Sequence, residues 1–441
     1  MKITGIICEY NPFHNGHLYQ INEVKKSSDY IIAVMSGNWI QRGGPSIIDK
    51  YSRTEMALKS GVDLVIELPV AYSAGSARDF AFGGVSLLDS LGCVDELSFG
   101  CESPQSDSFE LVSNFMIEHI EDIEKEFALE MKKGVSYPKA RENILLKYFD
   151  AHIVEGLSKP NNILAMEYHT ALKRLKSNIN INPIKREGSD YSDTSLNLQS
   201  YSCATAIRNT IIDSYNFIMN DDSCYNSPQN ESSPSTYISF TGESVRQAMS
   251  EPLSPLRNHV PGTTYEILLE RFGKGYPLTY NNFSREIGYK LILEAADGYE
   301  DYLDVSRELS DKIIKNLSYF QSVDQFCNIL KTKEITYARI SRCLTHILLD
   351  IKKDTFPRET RPGYARILGF RKDSEPLLSV IKSNSSIPMI SKLADAPKIL
   401  NQKDLAMLGK DIQASHIYNL VSACKYQNEL KNEFTQKIII V

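Results

Sequence analysis

The chain has 441 residues, of which 42% are hydrophobic and 24% charged, the proportions of an ordinary soluble protein. At that length it exceeds what one hydrophobic core normally fills, so two or more domains are expected. A net charge of −6 speaks against a nucleic-acid partner when taken as an average, and no run of ~18 apolar residues or signal-peptide order is present, which predicts a cytoplasmic protein with no membrane partner.

In chain order, Ile3, Ile6 and Ile7 form a short apolar block beside Gly5, closed by Asn11-Pro12, which predicts a buried parallel strand. His14-Asn15-Gly16-His17 then opens a helix, because Leu18, Ile21 and Val24 follow at helical spacing. Tyr30 to Gly37 reads as a second strand, Arg53 to Lys59 as a helix, Leu64 to Leu68 as a third strand, Ser86 to Leu91 as a helix and Glu96 to Phe99 as a fourth strand. Alternation at this spacing means a parallel sheet wound with crossover helices, whose ligands lie beyond the carboxyl ends of the strands. The loops with Ser36-Gly37 and Gln41 to Gly44, and the end of the third strand at Glu67, are therefore expected at one crevice. Residues 108–150 read as helices with solvated charged faces, Ile163 to Leu175 as a helix capped by Asn161 or Asn162, Ile184 to Glu187 as a last strand and Ser202 to Ile212 as a last helix.

Asp221 to Thr236 is polar and rich in Ser, Asn and Pro, a surface insertion. Beyond Thr241 the segments Ser244 to Met249, Tyr265 to Phe272, Phe283 to Glu294 and Ser310 to Leu317 read as amphipathic helices. The expected organisation is an α/β, Rossmann-like parallel-sheet nucleotide domain over 1–215, a polar insertion or linker over 216–240 and an α-helical domain over 241–441, with no internal repeat. Eight cysteines (8, 93, 101, 203, 224, 327, 343 and 424) include no Cys-x-x-Cys pair, which argues against a zinc knuckle and a disulfide framework. Charge is uneven. Lys331 to Lys372 holds eleven Lys and Arg against four acids, +7, so the remainder carries −13. With Tyr337, Phe356, Tyr364 and Phe370 interleaved, the stretch has the composition of a phosphate-tracking surface with stacking partners, although arginines at helical spacing also suit a solvated face.

Chemistry concentrates at the first turn. Backbone N–H groups at a helix N-terminus favour phosphate, Gly16 carries no Cβ, and two imidazoles there supply donors to a phosphate whose charge grows in a transition state. Two histidines at this spacing also suit plain capping or packing.

Glu9-Tyr-Asn-Pro-Phe-His-Asn-Gly-His17 carries the His-x-Gly-His signature of the nucleotidyltransferase superfamily, and its wider wording resembles the bacterial tRNA(Met) cytidine acetate ligase family. The likeness continues through Val34 to Gly37, Gln41 to Gly43, Glu67 to Pro69, Phe99-Gly100, Pro160 to Leu164 and Cys203 to Arg208. It is dense over the first half of the chain and thinner over the second. The resemblance implies a ligase that turns ATP and acetate into acetyl-adenylate and pyrophosphate, then passes the acetyl group to N4 of the wobble cytidine of elongator tRNA(Met). His14 and His17 would be catalytic. The ATP site would comprise Ile7, Cys8, Glu9, Tyr10, Asn11, Pro12, Phe13, His14, Asn15, Gly16, His17, Leu18, Tyr19 and Gln20, with Gly100, Asn162 and Arg186. Thr205 and Arg208 match the superfamily's second signature, where Cys203 stands in place of the expected serine. Lys331, Lys333, Arg339, Arg342, Arg361 and Arg366 would meet tRNA. No acidic cluster has metal-ligand spacing, so any Mg²⁺ that arrives with ATP is expected to be held by phosphate and water. Glu9 and Glu67 are the candidates for the N4 proton. An adenylyltransferase acting on a small-molecule acceptor, or a non-catalytic RNA-binding protein on this scaffold, are the competing readings.

Overall fold

A computed structural model describes residues 1–102, 106–132, 137–157, 159–188, 194–197, 200–220, 251–355 and 360–441. Its first half alternates strand and helix: β1 (Ile3–Cys8), α1 (Asn15–Lys25), β2 (Tyr30–Ser36), α2 (Lys50–Lys59), β3 (Leu64–Leu68), α3 (Ala77–Ser90), β4 (Glu96–Cys101), α4 (Pro160–Leu175), β5 (Asn180–Lys185) and α5 (Ala204–Asn220). The strands lie in the order β5-β4-β1-β2-β3 and all run parallel, with Ile3 opposite Tyr30 and Thr4 opposite Glu96. The chain leaves β1 toward β3, then crosses back to β4, so the order reverses between β1 and β4. The carboxyl ends there frame a crevice.

Period-two alternation buries both faces. Ile3, Ile7, Ile32, Val34, Leu64 and Ile66 pack with Val85 and Leu88 of α3 and Leu172 of α4. Ile6, Ile31, Ala33, Met35 and Val65 face Ile21 and Val24 of α1, Met56 of α2 and Ile207 of α5. Such double coverage is why these strands read as nearly unbroken apolar runs.

Caps move several helix starts upstream of the expected ones. Asp49 accepts from the N–H groups of Tyr51 and Ser52 and starts α2 at Lys50, while Ser76 and Asp79 form a capping box that starts α3 at Ala77. In α4, Lys159 is the N-cap and Pro160 the first helical residue, a position suited to a missing N–H, so neither Asn161 nor Asn162 caps it. The expected 221–236 insertion and 244–249 helix, with Phe356, lie outside the described residues.

The second half is largely helical, including α6 (Tyr337–Leu348) and the long α7 (Gln402–Tyr426), yet it gives three strands to the same sheet. These are β6 (Ala365–Phe370), β7 (Met389–Ile390) and β8 (Ile439–Ile440). β6 runs antiparallel to β3, with Leu64 opposite Phe370, and β7 and β8 pair parallel to β6. The first five strands are parallel as expected, and the antiparallel addition makes the sheet mixed. A buried ionic cluster pins the seam. Lys50 Nζ lies 2.8 Å from Glu67 and 3.0 Å from Glu433, and Arg366 lies 2.9 Å from Glu67 and 2.5 Å from Glu433, every one of these side chains at most 4% exposed.

Candidate active site

His14 is the N-cap of α1, in extended conformation, and its ring folds back so that Nδ1 accepts the Gly16 N–H at 3.1 Å. His17 Nδ1 accepts the His14 N–H at 3.2 Å, which completes a reciprocal capping box. Gly16 makes room for this: a Cβ there would lie 3.0 Å from His14 Cε1. With each Nδ1 held as an acceptor, each neutral ring carries its proton on Nε2, the donor left for a ligand. Burial, then the cations of Arg186 and Arg208, depress the His14 pKa to about 3. Burial and the neighbouring His14 hold His17 well below the usual histidine range. The rings stack at 3.7 Å between centroids, tolerable for two neutral imidazoles and repulsive for two cations. Capping thus uses Nδ1 of each ring and leaves Nε2 for other partners.

Contrary to expectation, the first-turn backbone is not open to an anion. The Asn15 N–H donates to His259 O at 3.1 Å, the Gly16 N–H to His14, and the His17 and Leu18 N–H groups to His14 O. The donors that remain for a ligand there are the ring Nε2–H groups, beside the side chains of Arg186 and Arg208. Arg208 Nη1 donates to Asn11 O at 2.9 Å and Nη2 to Thr205 Oγ1 at 3.0 Å, so α5 holds a guanidinium against the β1–α1 loop. From α2, the fully buried Arg53 donates to the carbonyls of Ile48, Glu9, Ser36 and Gly37, bracing the ends of β1 and β2.

The histidines line a cavity of about 1060 Å³, at the top of the ~300–1,000 Å³ range of small-molecule sites. Of the expected ATP residues, Ile7, Cys8, Glu9, Tyr10, Asn11, Gly16, Tyr19 and Gln20 line it too, as do Gly100, Arg186 and Arg208. A Cβ on Gly100 would crowd Arg186 Cγ at 3.2 Å, so the glycine lets the arginine stem lie across β4. Pro12, Phe13, Asn15, Leu18 and Thr205 are not among its lining residues. Asn162 is fully buried, its Oδ1 accepting the Glu102 N–H at 3.0 Å and its Nδ2 donating to Gly156 O at 2.6 Å. Its neighbour Asn161 lines the cavity instead and accepts from Arg186.

The basic stretch divides. Arg339 and Arg342 of α6 line the same cavity, beside Asp304, while Lys331 and Lys333 are exposed. Arg361 pairs with Asp89 at 3.3 Å. Arg366 is a correction: it sits 4% exposed in the Glu67–Glu433 cluster, unable to reach a phosphate. Glu67 is corrected likewise, since both its oxygens hold cations below the crevice.

Sequence reasoning passed over Arg78, Lys139, Arg141 and Tyr201, which also line the cavity. Arg141 is 7% exposed and 3.2 Å from Glu167, in a stretch whose charges suggested only solvated surface. Among the described residues nine Lys and Arg against six acids line the cavity, a positive lining in a chain of net charge −6. Among the described residues no group of His, Cys, Asp or Glu is placed to hold a metal ion, and no helix is long and apolar enough to cross a membrane.

The family model for HIGH nucleotidyl transferases matches residues 1–433. A tRNA(Met) cytidine acetate ligase of Thermosipho melanesiensis is 35% identical over 460 residues, covering 100% of this chain and 99% of the relative. The apo crystal structure of Thermotoga maritima TmcAL matches all of both chains with a TM-score of 0.85 at 30% identity. The same protein bound with alpha-thio ATP matches, again over all of both chains, with 0.82 at 28%.

Proposed function

We propose a function from the premise that this chain belongs to the tRNA(Met) cytidine acetate ligase family, within the HIGH nucleotidyl transferases. It joins acetate to AMP from ATP, releasing pyrophosphate, and transfers the acetyl group to N4 of the wobble cytidine of elongator tRNA(Met), in the cytoplasm. The observation that carries this reading is one cavity lined both by the two neutral histidines and by Arg339 and Arg342 of the basic second half. A small-molecule adenylyltransferase has no need of that second wall, and the relatives' names do not favour it.

In adenylation the acetate oxygen attacks the α-phosphorus and the bond to pyrophosphate breaks. Nε2–H of His14 and His17 donates to phosphate oxygens as their charge grows, and Arg186 and Arg208 neutralise the triphosphate. Acetate is already ionised at neutral pH, so this step requires no base. Any Mg²⁺ that enters with ATP would be held by phosphate and water, since no acidic cluster is placed to hold it among the described residues. In transfer, N4 attacks the acetyl carbon and AMP leaves, which requires a cytidine splayed from its loop. Lys331, Lys333, Arg339, Arg342 and Arg361 take RNA phosphates. Of the two carboxylates that end strands here, only Glu9 is among the cavity's lining residues, which supports it over Glu67 as the acceptor of the N4 proton. Residues 1–215 hold most of the nucleotide site and 241–441 the RNA surface.

The test supplies labelled acetate, ATP and unmodified tRNA(Met). Label on the tRNA as N4-acetylcytidine supports the assignment, and label that stops at the adenylate refutes it in favour of a small-molecule acceptor.

A further inference from the structure

Resting on that two-step reading, the geometry points to the Gln41–Gly44 loop as the positioning device that registers the RNA-facing helix against the nucleotide motif. One end of the loop is held from β1. The Glu9 carboxylate, on the first residue after β1, accepts the Gln41 N–H at 2.9 Å. The other end is held from α6. Ser341 Oγ donates to Gly43 O, and Gly43 adopts φ +68° with its α-carbon so close to that helix that a Cβ would lie 2.3 Å from the backbone N and Cα of Arg342. Turn hydrogen bonds stiffen the span between, Gly43 N to Ile40 O at 2.9 Å and Ile40 N to Gly44 O at 3.1 Å. Tyr280 supports the contact from below, its hydroxyl bonding Ser341 O and Thr345 Oγ1, each at 2.7 Å.

The chain of contacts thus runs from β1 through a stiff turn to the residue that carries the Arg342 side chain. It includes none of the groups assigned to the α-phosphate. Adenylation, which uses the histidines and the arginines of β5's end and α5, does not require α6 to be in register. Transfer does, because the cytidine must meet an acetyl group held on the other wall, and a displacement of about 1 Å costs on the order of 100-fold in rate. Gly43 is the sensitive point, since its φ and its backbone contact both exclude a side chain.

The experiment measures two reactions on wild type, Gly43→Ala and Ser341→Ala: acetate-dependent ATP–pyrophosphate exchange without RNA, and acetyl transfer to tRNA(Met). The expected result for Gly43→Ala is exchange within about threefold of wild type and transfer lowered roughly 10- to 100-fold. Ser341→Ala, which keeps the backbone contact and loses one hydrogen bond, should show the same split at a few-fold and guards against a misfolded first variant. Equal losses in both reactions, or no loss in transfer for either variant, would overturn the inference. Absence of exchange in the wild-type protein would instead remove the adenylation reading beneath it.

Discussion

Replacing His14 by Asn separates the two jobs assigned to its ring. Asparagine is among the best N-cap residues, so its side-chain oxygen takes over from Nδ1 in accepting the Gly16 N–H, and α1 keeps its cap. What disappears is the Nε2–H donor. Loss of one preorganised donor to developing negative charge costs about 100- to 1,000-fold, or ~2.7–4 kcal/mol of barrier. His14→Ala should lose the same rate and also about 1 kcal/mol of stability for the cap. Acetate-dependent ATP–pyrophosphate exchange reports the rate, and urea melts report the stability. The exchange rate should in addition show no titration of these rings between about pH 6 and 8, because both are already neutral in the fold. Exchange by His14→Asn within a few-fold of wild type would refute the donor role. A wild-type rate that falls as pH rises through the ordinary histidine range would show that a cation does the work.

Glu433→Gln should cost roughly 3–5 kcal/mol in urea melts, because it leaves Lys50 and Arg366 buried with Glu67 alone, and a stable variant would mean the cluster is not closed. Acid should destabilise the protein in two windows. The buried histidines, depressed from 6.5, lose their contribution as pH falls below about 6.5, whereas Glu433, held down to about 2 by Lys50 and Arg366 despite its burial, loses its own only as pH falls below the ordinary glutamate value of 4.5. Between pH 7 and 4.5 the stability gap between wild type and His14→Asn should therefore shift by roughly 2.5–3 kcal/mol in favour of the variant. That difference cancels Asp411, raised to about 7 by burial and by Glu67, whose burden eases on acidification. A gap that stays constant would place the His14 pKa near its ordinary value. Reversing charge at Lys331, Lys333 and Arg339 should weaken tRNA binding and lower the salt slope by about 2, at ~0.7 per single-strand phosphate contact, while Arg366→Met, which leaves the surface unchanged, should keep the slope. Equal slopes for all these proteins would turn the basic stretch away from RNA.

Where local chemistry decides an outcome, the sequence was informative. Ile3 to Ile7 and Leu64 to Leu68 were legible as strands because both faces are buried, and Gly16 marked the turn that its neighbour's ring requires. Helix starts moved because caps such as Asp49 and Ser76 lie outside the apolar period. β6 was hidden, since Ala365 to Phe370 sits inside a stretch whose charge dominated its reading, and its partner β3 is three hundred positions away. The same distance hid the fate of Arg366 and Glu67, because exposure of a charged side chain depends on what folds over it. Arg141 was missed for the same reason. The use of His259 O to occupy the first N–H of α1 had no local signal at all.

The pairing of β3 with β6 also has a consequence for synthesis. When Leu68 leaves the ribosome, the outer rim of β3 has no neighbour until Phe370 follows, roughly 15–60 s later at ~5–20 residues per second. For that interval the nascent protein carries an unprotected apolar strand edge, the kind that recruits other chains. Lys50, meanwhile, lacks its Glu433 counter-ion. Severing the chain after α5 would make that interval permanent, so the first half should be prone to aggregate when expressed alone.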